Sequence, residues 1–198
     1  MSEGQWRCFV GVPIAEPLAG QLRASLGALR TAASADADDL RWIDPGAWHL
    51  TLAFLGGTEA TEVPRLIEAL GQVALDHAPF TIPTGGLGAF PSRRDVRILW
   101  FGLADRSRRL AELAVAVRLA VGCETSSPFR AHLTLARTHA DRGVAVPDAT
   151  WKVPMPAGQL PVEELVLYRS HTGAGPARYE TLATAVLGLT LAGSRAAS

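Results

Sequence analysis

The sequence has little cysteine, no net charge and no long apolar segment, and each absence excludes a class of protein. Only Cys8 and Cys123 occur among 198 residues, too few for a disulfide framework or a cysteine-based metal site. The formal net charge is zero, with 19 basic and 19 acidic residues. The chain therefore lacks the basic excess of a general polyanion binder, although a local basic cleft is compatible with this balance.

No apolar run approaches the ~20 residues of a membrane-spanning helix, and the N-terminus has no basic segment followed by an apolar one. We therefore expect a cytoplasmic protein without a membrane partner. Lysine is also scarce, because Lys152 is the only one and every other basic residue is arginine. A coding bias toward arginine explains this, so the arginine count alone does not indicate phosphate binding.

The composition that is present, 48% apolar and 19% charged, is that of a folded protein. The length suits a single domain, which we place at residues 1–192, followed by a disordered tail at 193–198. Helical spacing of apolar residues predicts one helix ending near Thr31, one over 62–77, and one capped by Asp105 that runs to Val121. Strands are predicted between them, among them one over 150–153, and the glycine-rich residues 85–88 are predicted to form a turn. The fold class is therefore α+β.

Nearly the same peptide occurs twice, as HLTLAF beginning at His49 and as HLTLAR beginning at His132. Residues two apart on a strand share a face, so each histidine lies on the same side as the threonine that follows it, Thr51 or Thr134. The leucines between them form the opposite, apolar face. Polar side chains at these positions would be costly in a core, which indicates that both faces contact something polar.

The same alternation makes predictions for the residues around the two motifs. Arg130 lies two residues before His132, so its guanidinium is predicted to reach the site and contact a phosphate or a base. Phe54, the sixth residue of the first motif, is predicted to lie on the apolar face. Arg137, the sixth residue of the second, has the opposite parity to His132 and is predicted to point away from the site.

Two histidines facing one cleft suit acid and base catalysis, because an unperturbed pKa of ~6.5 lets one ring be neutral while the other is cationic. Threonine hydroxyls on the same faces can donate hydrogen bonds to phosphate oxygens. No carboxylate or cysteine cluster completes a metal site, so no metal or other cofactor is predicted. From the residues alone, the polar pairs could equally be satisfied structural residues.

With these motifs the chain resembles the two-histidine (2H) phosphoesterase superfamily, and within it the bacterial and archaeal RNA 2',3'-cyclic phosphodiesterases, formerly called 2'-5' RNA ligases. One departure is Ala131, where the family usually has a proline directly before the second histidine. The resemblance covers roughly residues 6 to 186 and rests on these further stretches: RCFVGV at 7–12, WHLTLAFLG at 48–56, RILWFG at 97–102, LYRS at 167–170 and ARYE at 177–180.

The repeated motif and the order of elements predict two pseudo-symmetric lobes, each an antiparallel-rich sheet with helices outside, and an active site in the cleft between them. We expect a monomer. The resemblance implies an enzyme that opens the 2',3'-cyclic phosphate end of an RNA to a 2'-phosphomonoester. His49 is then the proton donor, His132 the proton acceptor, and Thr51 and Thr134 bind the phosphate. The sequence cannot assign the acid and the base by itself, since the two motifs are almost identical.

Other functions stay open. The same site could act on a small cyclic nucleotide, or form a 2'-5' linkage by the reverse reaction, because ring opening and ligation share one transition state. A protein that binds RNA ends without turnover is a third alternative. Trp42, Trp48 and Trp100 are predicted to be core residues, unless one of them lies near the cleft and stacks on the terminal base.

Overall fold

The computed structural model describes residues 4–33, 40–123, 128–138, 142–171 and 178–188. Within them are nine strands: β1 (Gln5–Pro13), β2 (Leu40–Trp42), β3 (His49–Glu59), β4 (Phe80–Ser92), β5 (Asp95–Leu103), β6 (His132–Thr138), β7 (Gln159–Val162), β8 (Glu164–His171) and β9 (Arg178–Val186). The helices are α1 (Leu18–Ala32), α2 (Val63–Leu75) and α3 (Arg109–Val121), with short 3₁₀ turns at Pro45–Ala47, Ala60–Glu62 and Asp148–Lys152. The predicted tail at 193–198 lies outside the described residues.

The strands form one sheet in the order β7-β4-β5-β6-β3-β1-β8-β9, with β2 paired to the far end of β6. Every pairing is antiparallel. The two histidine strands, β3 and β6, are neighbours at the centre and are joined through Leu50 and Leu133 alone, so the sheet is narrowest between the two motifs. The mixed α and β fold with an antiparallel sheet is confirmed, while the division into two lobes and the domain boundaries stay predictions.

The three helices bury the apolar stripes that their spacing predicts, except for Ile67 of α2, which is 39% exposed. Leu18, Leu22, Leu26 and Leu29 of α1, Leu66, Leu70 and Val73 of α2, and Leu110, Leu113, Val117 and Val121 of α3 are all buried. The predicted cap of α3 is confirmed, because the Asp105 carboxylate accepts hydrogen bonds from the backbone N–H of Leu110 and Ala111. None of the described helices is long and apolar enough to cross a membrane.

Two predictions of secondary structure are wrong, and side-chain packing explains each. The predicted strand at 150–153 is part of a 3₁₀ turn, because the buried Thr150 hydroxyl donates to the Ala32 carbonyl at the end of α1 (3.0 Å). The glycines at 85–88 lie within β4 rather than in a turn. A Cβ on Gly88 would lie 2.2 Å from the Trp100 ring, so glycine is needed there to make room for the indole.

Candidate active site

The two motif histidines lie at the centre of the sheet, each held by the carbonyl of the residue two positions before it. His49 Nδ1 is 2.9 Å from the Ala47 oxygen, and His132 Nδ1 is 2.7 Å from the Arg130 oxygen. A carbonyl can only accept, so Nδ1 carries the hydrogen of the neutral ring. In both rings Nε2 is therefore the nitrogen with a free lone pair for proton transfer.

His49 packs against aromatic rings from strands β1 and β9. Its ring centroid is 4.6 Å from that of Phe9 and 5.0 Å from that of Tyr179, which stands perpendicular to it. The space beside the imidazole depends on Gly11, where a Cβ would come 2.8 Å from the Leu50 oxygen and 3.5 Å from His49 Cδ2. Gly11 thus allows the His49 ring to pack closely against strand β1.

His132 has a matching aromatic environment from strands β4 and β5. The Phe90 ring stands perpendicular to it at 5.0 Å, and the Trp100 ring lies 6.2 Å away. Of the predicted core tryptophans, Trp48 is buried, whereas Trp42 and Trp100 are half-buried. Base stacking by Trp100, the alternative to a core role, therefore stays open, since this indole lies near His132.

Both motif strands contain a β-bulge at the same position, the fourth residue of the motif. Leu52 is left without a partner, because Thr51 pairs with Gly11 and Ala53 pairs with Val10. Leu135 is left out in the same way between the pairings of Thr134 and Ala136 with β5. A bulge reverses the alternation of side chains, so the sixth residue of each motif lies on the same face as the histidine.

The bulges overturn the predictions for Phe54 and Arg137. Phe54 is 60% exposed and lines a cavity with Thr51 and His132 rather than joining the core. Arg137 lines a smaller cavity with His49 and Thr134 rather than pointing away. Both predictions assumed strict alternation along the strand, which the extra residue breaks.

Each bulge is stabilised by a hydrogen bond to the carbonyl of its unpaired leucine. The Leu52 oxygen accepts from Arg118 Nε of helix α3 (2.9 Å), and the Leu135 oxygen accepts from the Ile43 backbone N–H (2.8 Å). Buried carbonyls rarely remain without a donor, so these contacts hold the two strands in the bulged form.

Two cavities of different size flank the histidine pair. One of about 720 Å³ is lined by Thr51, Phe54, Phe90, Phe129, Arg130 and His132, together with parts of α3. The other, of about 20 Å³, is lined by Ile43, Ala47, His49, Thr134, Arg137 and Tyr179. The first is large and lined by three phenylalanine rings, whereas the second is small and lined by the Arg137 guanidinium.

Arg130 borders the larger cavity, as parity predicts, with its guanidinium carbon 5.8 Å from the centre of the Phe90 ring. Every site residue predicted from the sequence thus lines one of the two cavities. Phe54, Arg137, Tyr179 and Arg118 were missed. Tyr179 could have been found as the aromatic residue of the ARYE stretch. Nothing in the two motifs, in contrast, predicts the bulges.

Burial, opposed by the hydrogen bond to the Ala47 carbonyl and aided by the positive charges of Arg137 and His132, lowers the pKa of His49 to about 4. Burial also lowers the pKa of His132, opposed by the Arg130 carbonyl and aided by Arg137. Both rings are therefore neutral at pH 7. An anion bound between them would favour the protonated form of either ring.

The threonine hydroxyls face the same space as the histidines, and within the described residues neither makes a hydrogen bond. The described residues also hold no group of three or more His, Cys, Asp or Glu side chains close enough to ligate a metal ion. The site consists of two imidazoles, two hydroxyls and the half-buried Arg137 guanidinium, which together suit proton transfer at a bound anion.

Comparison with known proteins gives consistent matches. A family model described as LigT like Phosphoesterase matches residues 12–100. The RNA 2',3'-cyclic phosphodiesterase of Bacillus subtilis is 31% identical over 186 residues, covering 88% of this chain and 92% of that protein. The relative of the same name from Geobacillus stearothermophilus is 31% identical over 86% of this chain, although the chain spans only 55% of that protein's length. The relative of the same name from Aquifex aeolicus is 30% identical over 49% of this chain, and the matched region is 54% of that protein's length.

Two solved structures are similar over almost the whole chain. The crystal structure of TT0787 from Thermus thermophilus has a TM-score of 0.74 at 26% identity and covers 92% of this chain and 98% of its own. Escherichia coli LigT in complex with 3'-AMP has a TM-score of 0.72 at 26% identity, with the same coverage.

Proposed function

The chain belongs to the LigT-like phosphoesterase family, and we propose that it hydrolyses the 2',3'-cyclic phosphate end of an RNA to a 2'-phosphomonoester. The relatives of that name, similar over most of this chain, support the reaction class. The observation that carries the proposal is the pair of imidazoles with Nδ1 bonded to a carbonyl and Nε2 free, flanked by Thr51, Thr134 and Arg137. These side chains supply an acid, a base and anion-stabilising donors without a metal ion.

In the proposed mechanism the cyclic phosphate lies between the two histidines. His132 Nε2 accepts a proton from the attacking water, and protonated His49 donates one to the departing 3'-oxygen, which leaves a 2'-phosphate. Thr51, Thr134 and Arg137 donate hydrogen bonds to the non-bridging oxygens as negative charge builds there. The acid and base roles follow the family resemblance.

This assignment makes a prediction for the pH dependence of kcat/KM, which reports the free enzyme. The acid must be protonated, yet the pKa of His49 is about 4, so the protonated fraction decreases about tenfold per pH unit above that value. The base must be neutral, which is favoured above the lowered pKa of His132. We therefore expect a bell-shaped profile with its maximum on the acid side of pH 6.5. A value of kcat/KM that rises from pH 6.5 to 8 would contradict these roles.

The larger cavity is proposed to hold the terminal nucleoside. It is the wider of the two, and the exposed Phe54 ring offers a face on which a base can stack. Arg130, near the Phe90 ring, borders the same cavity, and its proposed role is to contact the base or the phosphate. The complex of the similar Escherichia coli LigT with 3'-AMP supports a nucleotide as ligand.

Weak 2'-5' ligation is proposed as a second reaction of this site, in which an RNA 5'-hydroxyl takes the place of water during ring opening; it is the reverse of cleaving a 2'-5' linkage. The 3'-oxygen leaves in an analogous transition state, so ligation requires no further catalytic group. Hydrolysis is favoured because water is present in large excess.

The deciding experiment follows an RNA oligomer that ends in a 2',3'-cyclic phosphate, incubated with the protein in excess EDTA, by phosphorus NMR. We expect conversion to a terminal 2'-phosphate, and no conversion by a His49→Asn and His132→Asn double variant. Activity that disappears with EDTA would contradict catalysis by side chains alone. A cyclic end that stays intact without EDTA would contradict the proposed reaction.

A further inference from the structure

Beyond the two motifs, two more arginines lie on the face of the sheet that carries the histidines. Arg41 is directly opposite Arg137 in the pairing of β2 with β6, and residues directly opposite each other share a face. Its neighbour Trp42 points to the other side, where Arg30 of helix α1 lies 5.6 Å from its ring. Arg41 therefore extends the positive charge of Arg137 along the cleft.

Arg7 reaches the same face from the opposite side. It lies two residues before Phe9, whose ring contacts His49, and it pairs with Ser170, which pairs in turn with Tyr179 of β9. Tyr179 lines the smaller cavity together with Arg137. Arg7 is thus placed just outside the aromatic residues around His49.

Electrostatics agree with this placement. Burial lowers the pKa of Arg137, Tyr179 opposes this shift, and the charges of Arg41 and Arg7 add to the lowering, as expected of like charges. We call Arg7, Arg41 and Arg137 the arginine row. Burial decreases outward along the row, since Arg137 is half-buried whereas Arg7 and Arg41 are exposed.

No carboxylate neutralises the arginine row within the described residues. The ion pairs formed there involve Arg23, Arg97, Arg169 and His171, and none involves a member of the row. The contrast with Arg169 is direct, because it lies on the strand next to Arg7 and is paired with Glu180 (3.7 Å). In a chain with no net charge, three guanidinium groups on one face of the sheet, with no ion-pair partner in the described part of the chain, make this face locally positive.

We propose that Arg7 and Arg41 form a second anion subsite, which binds the phosphodiester next to the reacting cyclic phosphate in an RNA substrate. This inference rests on the proposed function and specifies its substrate as an oligonucleotide rather than a cyclic mononucleotide. Guanidinium groups suit this ligand because their planar forks match phosphate oxygens. Arg137 is deep enough to contact the reacting phosphate, whereas the two exposed arginines are left for a phosphate further out.

The test compares three substrates: a nucleoside 2',3'-cyclic phosphate, a dinucleotide with the same cyclic end, and that dinucleotide with an uncharged methylphosphonate linkage. For the wild type we expect a higher kcat/KM on the charged dinucleotide than on the other two. Arg7→Gln and Arg41→Gln should each lower this value about fivefold through KM, as expected for an exposed charge contact. Turnover of the mononucleotide should stay within about twofold, which also shows that the variants fold. Arg94→Gln, in the exposed turn between β4 and β5, is the matched control and should behave as the wild type.

Equal losses on all three substrates, or none on the charged dinucleotide, would overturn the second subsite. A wild type that does not distinguish the phosphodiester from the methylphosphonate would overturn it as well. Failure of the proposed function is a separate result, in which the wild type opens none of the three cyclic ends.

Discussion

The two halves of the candidate active site share their motif residues and differ in what lies beside them. In both, a histidine donates through Nδ1 to the carbonyl two residues earlier, and a bulge follows at the fourth motif residue. The sixth residue is then Phe54 in one half and Arg137 in the other. The first borders a cavity of about 720 Å³ and the second one of about 20 Å³.

This difference shows how a repeated strand forms an asymmetric site. The repeat supplies two proton-transfer groups in equivalent positions, which a displacement at phosphorus needs on opposite sides. The residue after the bulge then distinguishes the sides, because an aromatic ring favours a base and a guanidinium favours a phosphate. We therefore propose that the orientation of the substrate depends on one residue in each half, Phe54 or Arg137.

The largest expected effect comes from removing the shared part. His49→Asn and His132→Asn should each lower kcat about 10³-fold, because each removes a group that transfers a proton in the transition state. The double variant should be little worse than either single variant, since the two act as a unit. Single-turnover assays on a cyclic-phosphate RNA measure this. His171→Asn, which changes an exposed histidine paired with Glu180, is the control. A single variant that keeps a tenth of the activity would contradict the equivalence of the two halves.

Next in size is the loss of the charged neighbour. Arg137→Gln should lower kcat/KM about 10²-fold, because a preorganised donor to the developing charge is removed from a half-buried position. Arg97→Gln removes an exposed arginine of β5 and should leave activity unchanged. An Arg137→Gln variant as active as the wild type would mean that this side chain is structural.

The sequence predicts the composition of the site better than its arrangement. Two His-x-Thr motifs with leucines between them predict strands with one polar face, and in the structure Thr51 and His132 line one cavity while His49 and Thr134 line the other. The motif alone predicts this much because alternation is a local property. The bulges depend instead on distant partners, the Arg118 side chain and the Ile43 backbone, so no pattern within the motif reveals them.

The same distinction holds for the fold. Apolar spacing predicts the three helices, since a stripe must be buried whatever packs on it. Local sequence patterns fail at residues 85–88. The glycines there predict a turn, but in the structure they lie in a strand, where Gly88 makes room for Trp100 of the neighbouring strand. These patterns fail again at Thr150, which caps a helix more than 100 residues away.

A smaller effect is expected from the aromatic neighbour. Phe54→Leu should raise KM about tenfold with little change in kcat, because it removes base stacking and leaves the proton-transfer groups intact. Val186→Ala, at another exposed apolar residue, serves as the control. If KM is unchanged while kcat falls, the ring orients the catalytic groups instead of binding the base.

The smallest effect on activity should come from the support of the first bulge. Arg118→Met keeps the aliphatic stem but removes the donor to the Leu52 carbonyl, which should lower the free energy of unfolding by about 1–3 kcal/mol. The decrease in kcat/KM should stay below about tenfold, because Arg118 borders the larger cavity but has no proposed role in proton transfer or in binding the phosphate. Combining Arg118→Met with Phe54→Leu separates positioning from stability. If Arg118 positions the Phe54 ring through the bulge, the free-energy changes calculated from the two increases in KM will be less than additive in the double variant. If Arg118 only stabilises the fold, these free-energy changes will be additive. Arg94→Met should change neither unfolding nor KM, because that arginine lies in an exposed turn away from both bulges.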